Sequence, residues 1–200
     1  MHHFSSVAER NKQPILTQLR NWLANDETIL EIGSGSGQHA LFFSQHFPAI
    51  HWQCSEREED TVRMLIGNIV QENLINVLTP IVLDVVNYDW GAQPYDAIFT
   101  ANTLHIMTEQ EVAYFLNHVH LALKPHGKLI IYGPFIYQNK YTSDSNRKFD
   151  KMLRQRNVGS GLKSFDLIAK VLHEYQFTLK HDIPMPANNQ LLYWELMESR

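Results

Sequence analysis

Residues 28–43 read TILEIGSGSGQHALFF. A short apolar run from Thr28 to Ile32 leads into three glycines at alternate positions, Gly33, Gly35 and Gly37, and an apolar helical pattern follows. A strand that ends in such a turn and passes straight into a helix offers main-chain N–H groups to a nucleotide-like ligand. The dinucleotide fingerprint spaces its glycines G-x-G-x-x-G, the last one letting the helix approach the strand. Here the spacing is G-x-G-x-G, with the third glycine one position early.

Outward from this turn, the chain alternates strand-like and helix-like segments. Ile15, Leu16, Leu19, Trp22 and Leu23 predict an amphipathic helix over Lys12–Leu23, entered through Pro14 and packed on the sheet ahead of the first strand. Strand-like runs follow at TILEI, IHWQCS, VLTPIVLD, YDAIFTA and GKLIIYG. Between them, Val62, Ile66, Ile69 and Val70 have helical spacing, and so do Val112, Phe115, Val119 and Ala122. The second of these helices starts on a capping box, Thr108 with Glu111, and is expected to stop at Pro125 and Gly127. Strands alternating with helices of this length predict right-handed βαβ units and a parallel sheet covered on both faces. The last sixty residues change rhythm: two helix-like segments precede FTLKHDIPM and QLLYWELM, joined only by PANN. A connection so short makes that final pair antiparallel.

A chain of 200 residues with 44% hydrophobic content buries one sizeable core, so a single domain over 1–200 is expected. A net charge of −4 argues against nucleic-acid binding through an overall basic surface. The single cysteine, Cys54, excludes an intrachain disulfide, and its strand-like surroundings suggest a small buried thiol. With no apolar leader region and no membrane-length apolar run, the expectation is a cytoplasmic protein without membrane contact. The eleven histidines include no H-x-x-x-H pair, and His118 and His120 fall on different sides of a helix, so no metal site is expected.

Glu31 lies two residues before the first glycine, at the expected mouth of the first strand. A carboxylate there repels a pyrophosphate and attracts a ligand carrying an ammonium and a sulfonium, as S-adenosylmethionine does. With Glu31 included, EIGSGSG resembles the E/D-x-G-x-G-x-G motif of the class I S-adenosylmethionine-dependent methyltransferases. FSSVAERNKQPIL, GSGSGQHA, ANTLHIM, IYGPF, TSDSNRKFD and MPANN resemble one subgroup, small methyltransferase-like proteins catalogued as a domain of unknown function of the DUF938 type. The resemblance implies an α/β, Rossmann-like, doubly wound fold. Its mostly parallel seven-stranded sheet would have the order 3-2-1-4-5-7-6 and end in an antiparallel hairpin. It also implies an N-terminal lid over residues 1–24 and a substrate-capping insertion over 136–163.

The same resemblance implies a cofactor set of Glu31, Gly33, Ser34, Gly35, Gly37, Glu56, Asp84, Val85 and Asn102. Glu56 would bind the ribose hydroxyls, and Asp84 the adenine amine. His105, in ANTLHIM, is the candidate general base, the alternative being a histidine that hydrogen-bonds the backbone beneath the cofactor. Arg10 and Asn11 ahead of the first helix, and Phe135 after the fifth strand, are candidate substrate contacts. In PANN, either Asn188 or Asn189 takes a left-handed conformation, or one of them reaches the pocket. Between Lys140 and Lys163 stand seven cationic residues and two acidic ones, a local excess that favours an anionic small-molecule substrate. The leading functional expectation is a methyltransferase acting on a small molecule. The alternatives are a binding protein that keeps the pocket without turnover and, third, a nicotinamide oxidoreductase.

Overall fold

The computed structural model describes residues 5–198. In chain order, α1 (Ser6–Trp22), β1 (Thr28–Ile32), α2 (Gln38–His46), β2 (His51–Glu56), α3 (Glu59–Glu72), β3 (Val77–Val82) and β4 (Tyr95–Ala101) build the first half. Then come α4 (Glu109–His118), β5 (Leu123–Gly133), β6 (Phe135–Tyr137), β7 (Lys140–Tyr141), α5 (Asp144–Arg156), β8 (Lys163–Ser164), α6 (Phe165–Glu174), β9 (Phe177–Met185) and β10 (Asn189–Leu196). The main sheet has the order β3-β2-β1-β4-β5-β10-β9. Its first five strands are parallel and the last two run antiparallel as a hairpin, with β10 inserted between β5 and β9. This is the Rossmann-like, doubly wound order that the resemblance implies.

Two apolar clusters sit on opposite faces of the sheet. Ile15, Leu16 and Leu19 of α1, Phe43 of α2 and Leu65 of α3 pack on one face. Val112 and Phe115 of α4 and Ile168 and Leu172 of α6 pack on the other. Strand order reverses between β1 and β4, because the chain first winds outward through β2 and β3 and then returns. In such sheets the crevice for a ligand opens beyond the carboxyl ends of the strands at that reversal. Gly33 follows β1 there, and Asn102 follows β4.

Three local expectations are corrected. The first helix begins at Ser6, capped by the Ser5 side chain, so Pro14 lies inside it rather than at its start. An interior proline removes a helical hydrogen bond, at about 3 kcal/mol, and burial of Ile15, Leu16 and Leu19 offsets that loss. In α3 the buried stripe is Val62, Leu65 and Ile69, while Ile66 and Val70 face outward. The Thr108–Glu111 capping box is present, but α4 ends at His118 in a short 3₁₀ turn, and Pro125 and Gly127 belong to β5.

Around the expected helix at SNRKFDKMLRQRN, residues 135–164 form a small sheet that hydrophobic periodicity did not announce. β6 and β7 make a small hairpin, α5 follows, and β8 returns parallel to β6, pairing Lys163 with Phe135 and Ser164 with Ile136. These three short strands make a second sheet of order β7-β6-β8. Among the described residues, no helix is long and apolar enough to cross a membrane.

Candidate active site

A cavity of about 1020 Å³ opens at the carboxyl ends of β1 to β4, between the glycine turn, the first turns of α1, the α5 face and the β9–β10 turn. That is at the top of the range for small-molecule sites, about 300–1,000 Å³, and leaves room for two ligands side by side.

The glycine turn forms one wall. Gly33, Gly35 and Gly37 all have positive φ, +73°, +58° and +82°. A Cβ on Gly37 would come within 2.5 Å of Leu65, so the third glycine, expected as a cofactor contact, instead brings the start of α2 close to α3 and lies outside the cavity wall. A Cβ on Gly35 would meet nothing within 4 Å. It would project into open space at a position that lines the cavity, which makes Gly35 a cradle rather than a packing requirement. Ser34 is pinned behind it, its amide donating to the Ser55 carbonyl at 2.9 Å and its hydroxyl accepting from the Ser55 amide at 3.2 Å.

Four further expected residues line the same cavity. Glu56 ends β2, and its carboxylate accepts the Gly35 amide at 2.5 Å, so the turn and the strand end are tied together. Beyond β3, Asp84 closes a turn by accepting from the Val86 amide and the Asn87 side chain, each at 3.1 Å. Val85 beside it is buried, and its carbonyl accepts from Trp90. Asn102 takes φ +61° just past β4, and its amide donates to the Tyr132 carbonyl at 2.9 Å.

Glu31 does not join this group. Its side chain is 1% exposed, lies outside the cavity wall, and accepts from the Trp52 indole at 3.0 Å. Burial pushes its carboxyl up to about 7, against the opposing pull of the Trp52 and Ser34 hydrogen bonds. The expectation of a carboxylate aimed at a cationic ligand from the strand mouth is therefore corrected. Both faces of β1 are buried, and this side chain points into the core.

His105 follows β4 and lines the same cavity, 7% exposed, its ring edge-to-face with Phe149 at 5.2 Å. Burial first, and the Lys163 charge second, hold the imidazole down at about 4, so it is neutral across the physiological range. Arg10 lines the cavity from α1, whereas Asn11 turns away. The Asn11 side chain is 2% exposed and meets the His39 ring at 2.7 Å, which makes it a seam between α1 and α2 rather than a cavity residue. Phe135 is likewise corrected: it belongs to the core, and Pro134 beside it faces the cavity. Asn188 fulfils both of its alternatives, with φ +58° and a place in the cavity wall. Asn189 also lines the cavity, but in an extended conformation.

Several wall residues had no expected role. Ser145, Asn146 and Phe149 line the cavity from α5, and Asn188 holds that helix: its amide donates to the Ser145 hydroxyl at 3.1 Å and its carbonyl accepts from Asn146 at 2.9 Å. Arg57 also lines the cavity and bridges Glu111 at 2.7 Å and Asp84 at 3.6 Å, so this part of the wall carries paired charges. None of the seven basic residues between Lys140 and Lys163 is part of the wall. Arg147 pairs with Asp144, Arg154 pairs with Asp150, and Lys163 is buried. Among the described residues, no group of three or more His, Cys, Asp or Glu side chains converges as a metal site.

A family model described as "Protein of unknown function (DUF938)" matches residues 2–196. Among solved structures, the chain is similar to an O-methyltransferase family protein from Burkholderia thailandensis, with TM-score 0.80 and 16% identity over 96% of this chain and 58% of that one. It is similar to the mitomycin 7-O-methyltransferase MmcR, with TM-score 0.80 and 17% identity over 96% of this chain and 54% of that one. It is also similar to the YcgJ protein from Bacillus subtilis, with TM-score 0.74 and 13% identity over 96% of this chain and the whole of that one. The chain thus spans little more than half the length of the first two, and at these identities the likeness is one of fold.

Proposed function

The chain belongs to the DUF938 family, whose model spans nearly all of it, and from that premise we propose that it is an S-adenosylmethionine-dependent methyltransferase acting on a small molecule. One observation carries this reading. The open glycine cradle at Gly35, the strand-end carboxylate of Glu56, Asp84 with Val85, and Asn102 all face one cavity. They occupy the ends of four neighbouring parallel strands, and these are the positions at which the methyltransferase resemblance puts its cofactor contacts. The residues fit the group: Gly35 leaves a side-chain-sized gap, and Glu56 can offer its carboxylate to a pair of hydroxyls.

The cofactor supplies an activated methyl whose leaving group needs no help from an acid. What remains for the chain is to bind, align and exclude water, which is worth up to roughly 7–11 kcal/mol of barrier. Gly33 to Ser36 of the turn and Glu56 would hold the nucleoside end, with Asp84 toward the base. His105 lines the same cavity, and its neutral ring can accept a hydrogen bond from an arriving hydroxyl. Phe149 and Met107 give that end an apolar wall, and Asn146 and Asn188 give it amides.

Oxygen is the acceptor we favour, because two of the fold neighbours bear O-methyltransferase names and a neutral imidazole suits a hydroxyl. An anionic group on the substrate would meet Arg10, since the basic run of α5 faces away from the cavity. Calorimetric titration of the purified chain with S-adenosylhomocysteine, with NAD as control, tests the reading. Micromolar binding of the first alone is expected. Binding of NAD, or of neither, would overturn it, and binding without turnover across a panel of small hydroxylated acceptors would favour a non-catalytic binding protein.

A further inference from the structure

One polar atom of the cavity wall is left over when the hydrogen bonds at the start of α5 are counted. Asn146 stands in the first turn of that helix, and the Ser143 hydroxyl caps the helix by accepting the Asn146 main-chain amide at 3.1 Å. The side-chain nitrogen of Asn146 donates to the Thr142 hydroxyl at 2.8 Å and to the Asn188 main-chain carbonyl at 2.9 Å. A carbonyl can only accept, so the Asn188 contact settles which end of the amide is nitrogen. Both N–H groups are used by these two bonds, and among the described residues Oδ1 has no partner.

That oxygen is nevertheless within reach of a ligand. Asn146 is 5% exposed and lines the cavity, and Oδ1 is not sealed from solvent. The side chain therefore presents a bare acceptor to the cavity. An acceptor so nearly buried costs free energy until a ligand supplies a donor. The carbonyl that locks the amide is itself aimed by two consecutive left-handed residues, Ala187 at φ +60° and Asn188 at φ +58°, neither of them glycine. The Asn188 side chain braces this turn against α5 by donating to the Ser145 hydroxyl at 3.1 Å. Backbone held against its preference in this way marks positions where geometry matters to a ligand.

The surroundings decide which donor fits. Phe149 lies one helical turn further along the same face of α5, and its ring meets His105 edge-to-face at 5.2 Å. The other residues that α5 and the β9–β10 turn give to the wall are Ser145, Ala187, Asn188 and Asn189, all uncharged. The charged wall residues, Arg10, Glu56, Arg57, Asp84 and Glu111, come from other elements. A carboxylate brought to Oδ1 would set lone pair against lone pair, with no cation from α5 or the turn in the wall to offset it.

We propose that Asn146 selects the substrate, and that the substrate is an aromatic molecule whose neutral hydroxyl or N–H donates to Oδ1 while its ring lies along Phe149. Selection works by exclusion. An analogue without the donor leaves the fixed oxygen unpaired, and the locked amide cannot turn to offer an N–H instead. A pocket of this kind discriminates more sharply than an apolar one of the same shape. The inference deepens the methyltransferase reading and rests on it only in calling the ligand a substrate.

Phenol, anisole and benzoate, titrated into the isotope-labelled full chain and followed by NMR, test it. Phenol carries the donor, anisole has a methyl in place of that hydrogen, and benzoate brings a charge. Wild type should bind phenol about fivefold or more tightly than anisole, and phenol should shift the Asn146 side-chain amide, which benzoate should leave in place. In Asn146→Ala the two affinities should come within about twofold of each other. Thr142→Val removes one of the two bonds that hold the amide, from outside the cavity wall, and should keep the preference, because the Asn188 carbonyl still fixes the orientation.

Equal binding of phenol and anisole by wild type overturns the proposal, and so does a preference that survives Asn146→Ala. A preference lost in Thr142→Val would assign the effect to the clasp rather than to the oxygen, and benzoate acting on the Asn146 amide as phenol does would overturn the requirement for a neutral donor. If Asn146→Ala does not fold, the wild-type preference and the Asn146 shift decide alone, and the lack of either overturns the proposal. S-adenosylhomocysteine calorimetry on the same samples separates the two readings: a wild type that does not bind it defeats the methyltransferase assignment, while the phenol preference still judges Asn146.

Discussion

The two halves of the cavity are built by different means. The half beyond β1, β2 and β3 is made of main-chain geometry and strand ends: a glycine at φ +58° that opens on space, a carboxylate bonded to its amide, and a turn closed by Asp84. The half beyond β4 is made of side chains brought from far along the chain, with Phe149 and Asn146 on α5, Asn188 in the β9–β10 turn, and His105 on a turn strapped by residues 160–163. The first half can hold only what the parallel sheet geometry permits. The second can be rewritten by changing one helix face, and this is where the specificity of such a site belongs.

The largest expected effect falls on the first half. Gly35→Val puts a β-branched residue at a left-handed φ, at a cost of about 1–3 kcal/mol in stability, and fills the cradle. We expect S-adenosylhomocysteine affinity to fall on the order of 100-fold, or about 2.7 kcal/mol, read by calorimetry on protein whose circular dichroism is unchanged. Affinity within threefold of wild type would mean that the turn is not the nucleoside wall. Glu56→Ala should follow with a loss of about 30-fold, because it removes a charged acceptor from both the Gly35 amide and the ligand.

Phe149→Ala sharpens the contrast from the other side. It should leave S-adenosylhomocysteine affinity within about twofold and lower kcat/KM for an accepted hydroxylated substrate about tenfold, the loss of one half-buried aromatic wall. A variant that lost the nucleoside instead would merge the two halves into one site. A matching pair, Arg147→Ala and Lys148→Ala, should change neither quantity measurably, because these side chains lie outside the cavity wall.

The same division governs what could be read from sequence. β1 to β5, the Thr108 capping box and the antiparallel ending follow from period, turn chemistry and connection length, all of which are local signals. The strand-end positions Glu56, Asp84 and Asn102 follow from the methyltransferase resemblance that the glycine turn and the segments after it carry. The small sheet does not, because strands of two or three residues such as Lys140–Tyr141 and Lys163–Ser164 have no period to detect. Nor does the wall of α5: Phe149 and Asn146 lie on one face of a helix whose sequence is dominated by its outward charges. Asn11 and Phe135 turn away from the cavity for a related reason: position in a motif fixes which element a residue occupies and not which way its side chain turns.

Glu31 and Glu56 make that last point measurable, with the smallest expected effect on ligand. Both are carboxylates at the ends of adjacent parallel strands, one bonded to Trp52 in the core and the other to the Gly35 amide at the cavity. Glu31→Gln should leave S-adenosylhomocysteine affinity within about twofold, because the side chain does not reach the wall. Its signature is in stability. The Glu31 carboxyl is pushed up to about 7 in the fold from its ordinary 4.5, so between those values the folded chain binds a proton that the unfolded chain has released. Stability from this group is fully present below pH 4.5 and is lost as pH rises through 7, by about 3 kcal/mol in total. Glutamine cannot ionise and still accepts the Trp52 N–H, so urea unfolding of Glu31→Gln should lack this slope and give the more stable protein at pH 8. A wild-type profile flat from pH 4.5 to 8, or a variant that keeps the slope, would place the ionised carboxylate in a polar setting, and Glu31 would return to the cavity as a ligand contact.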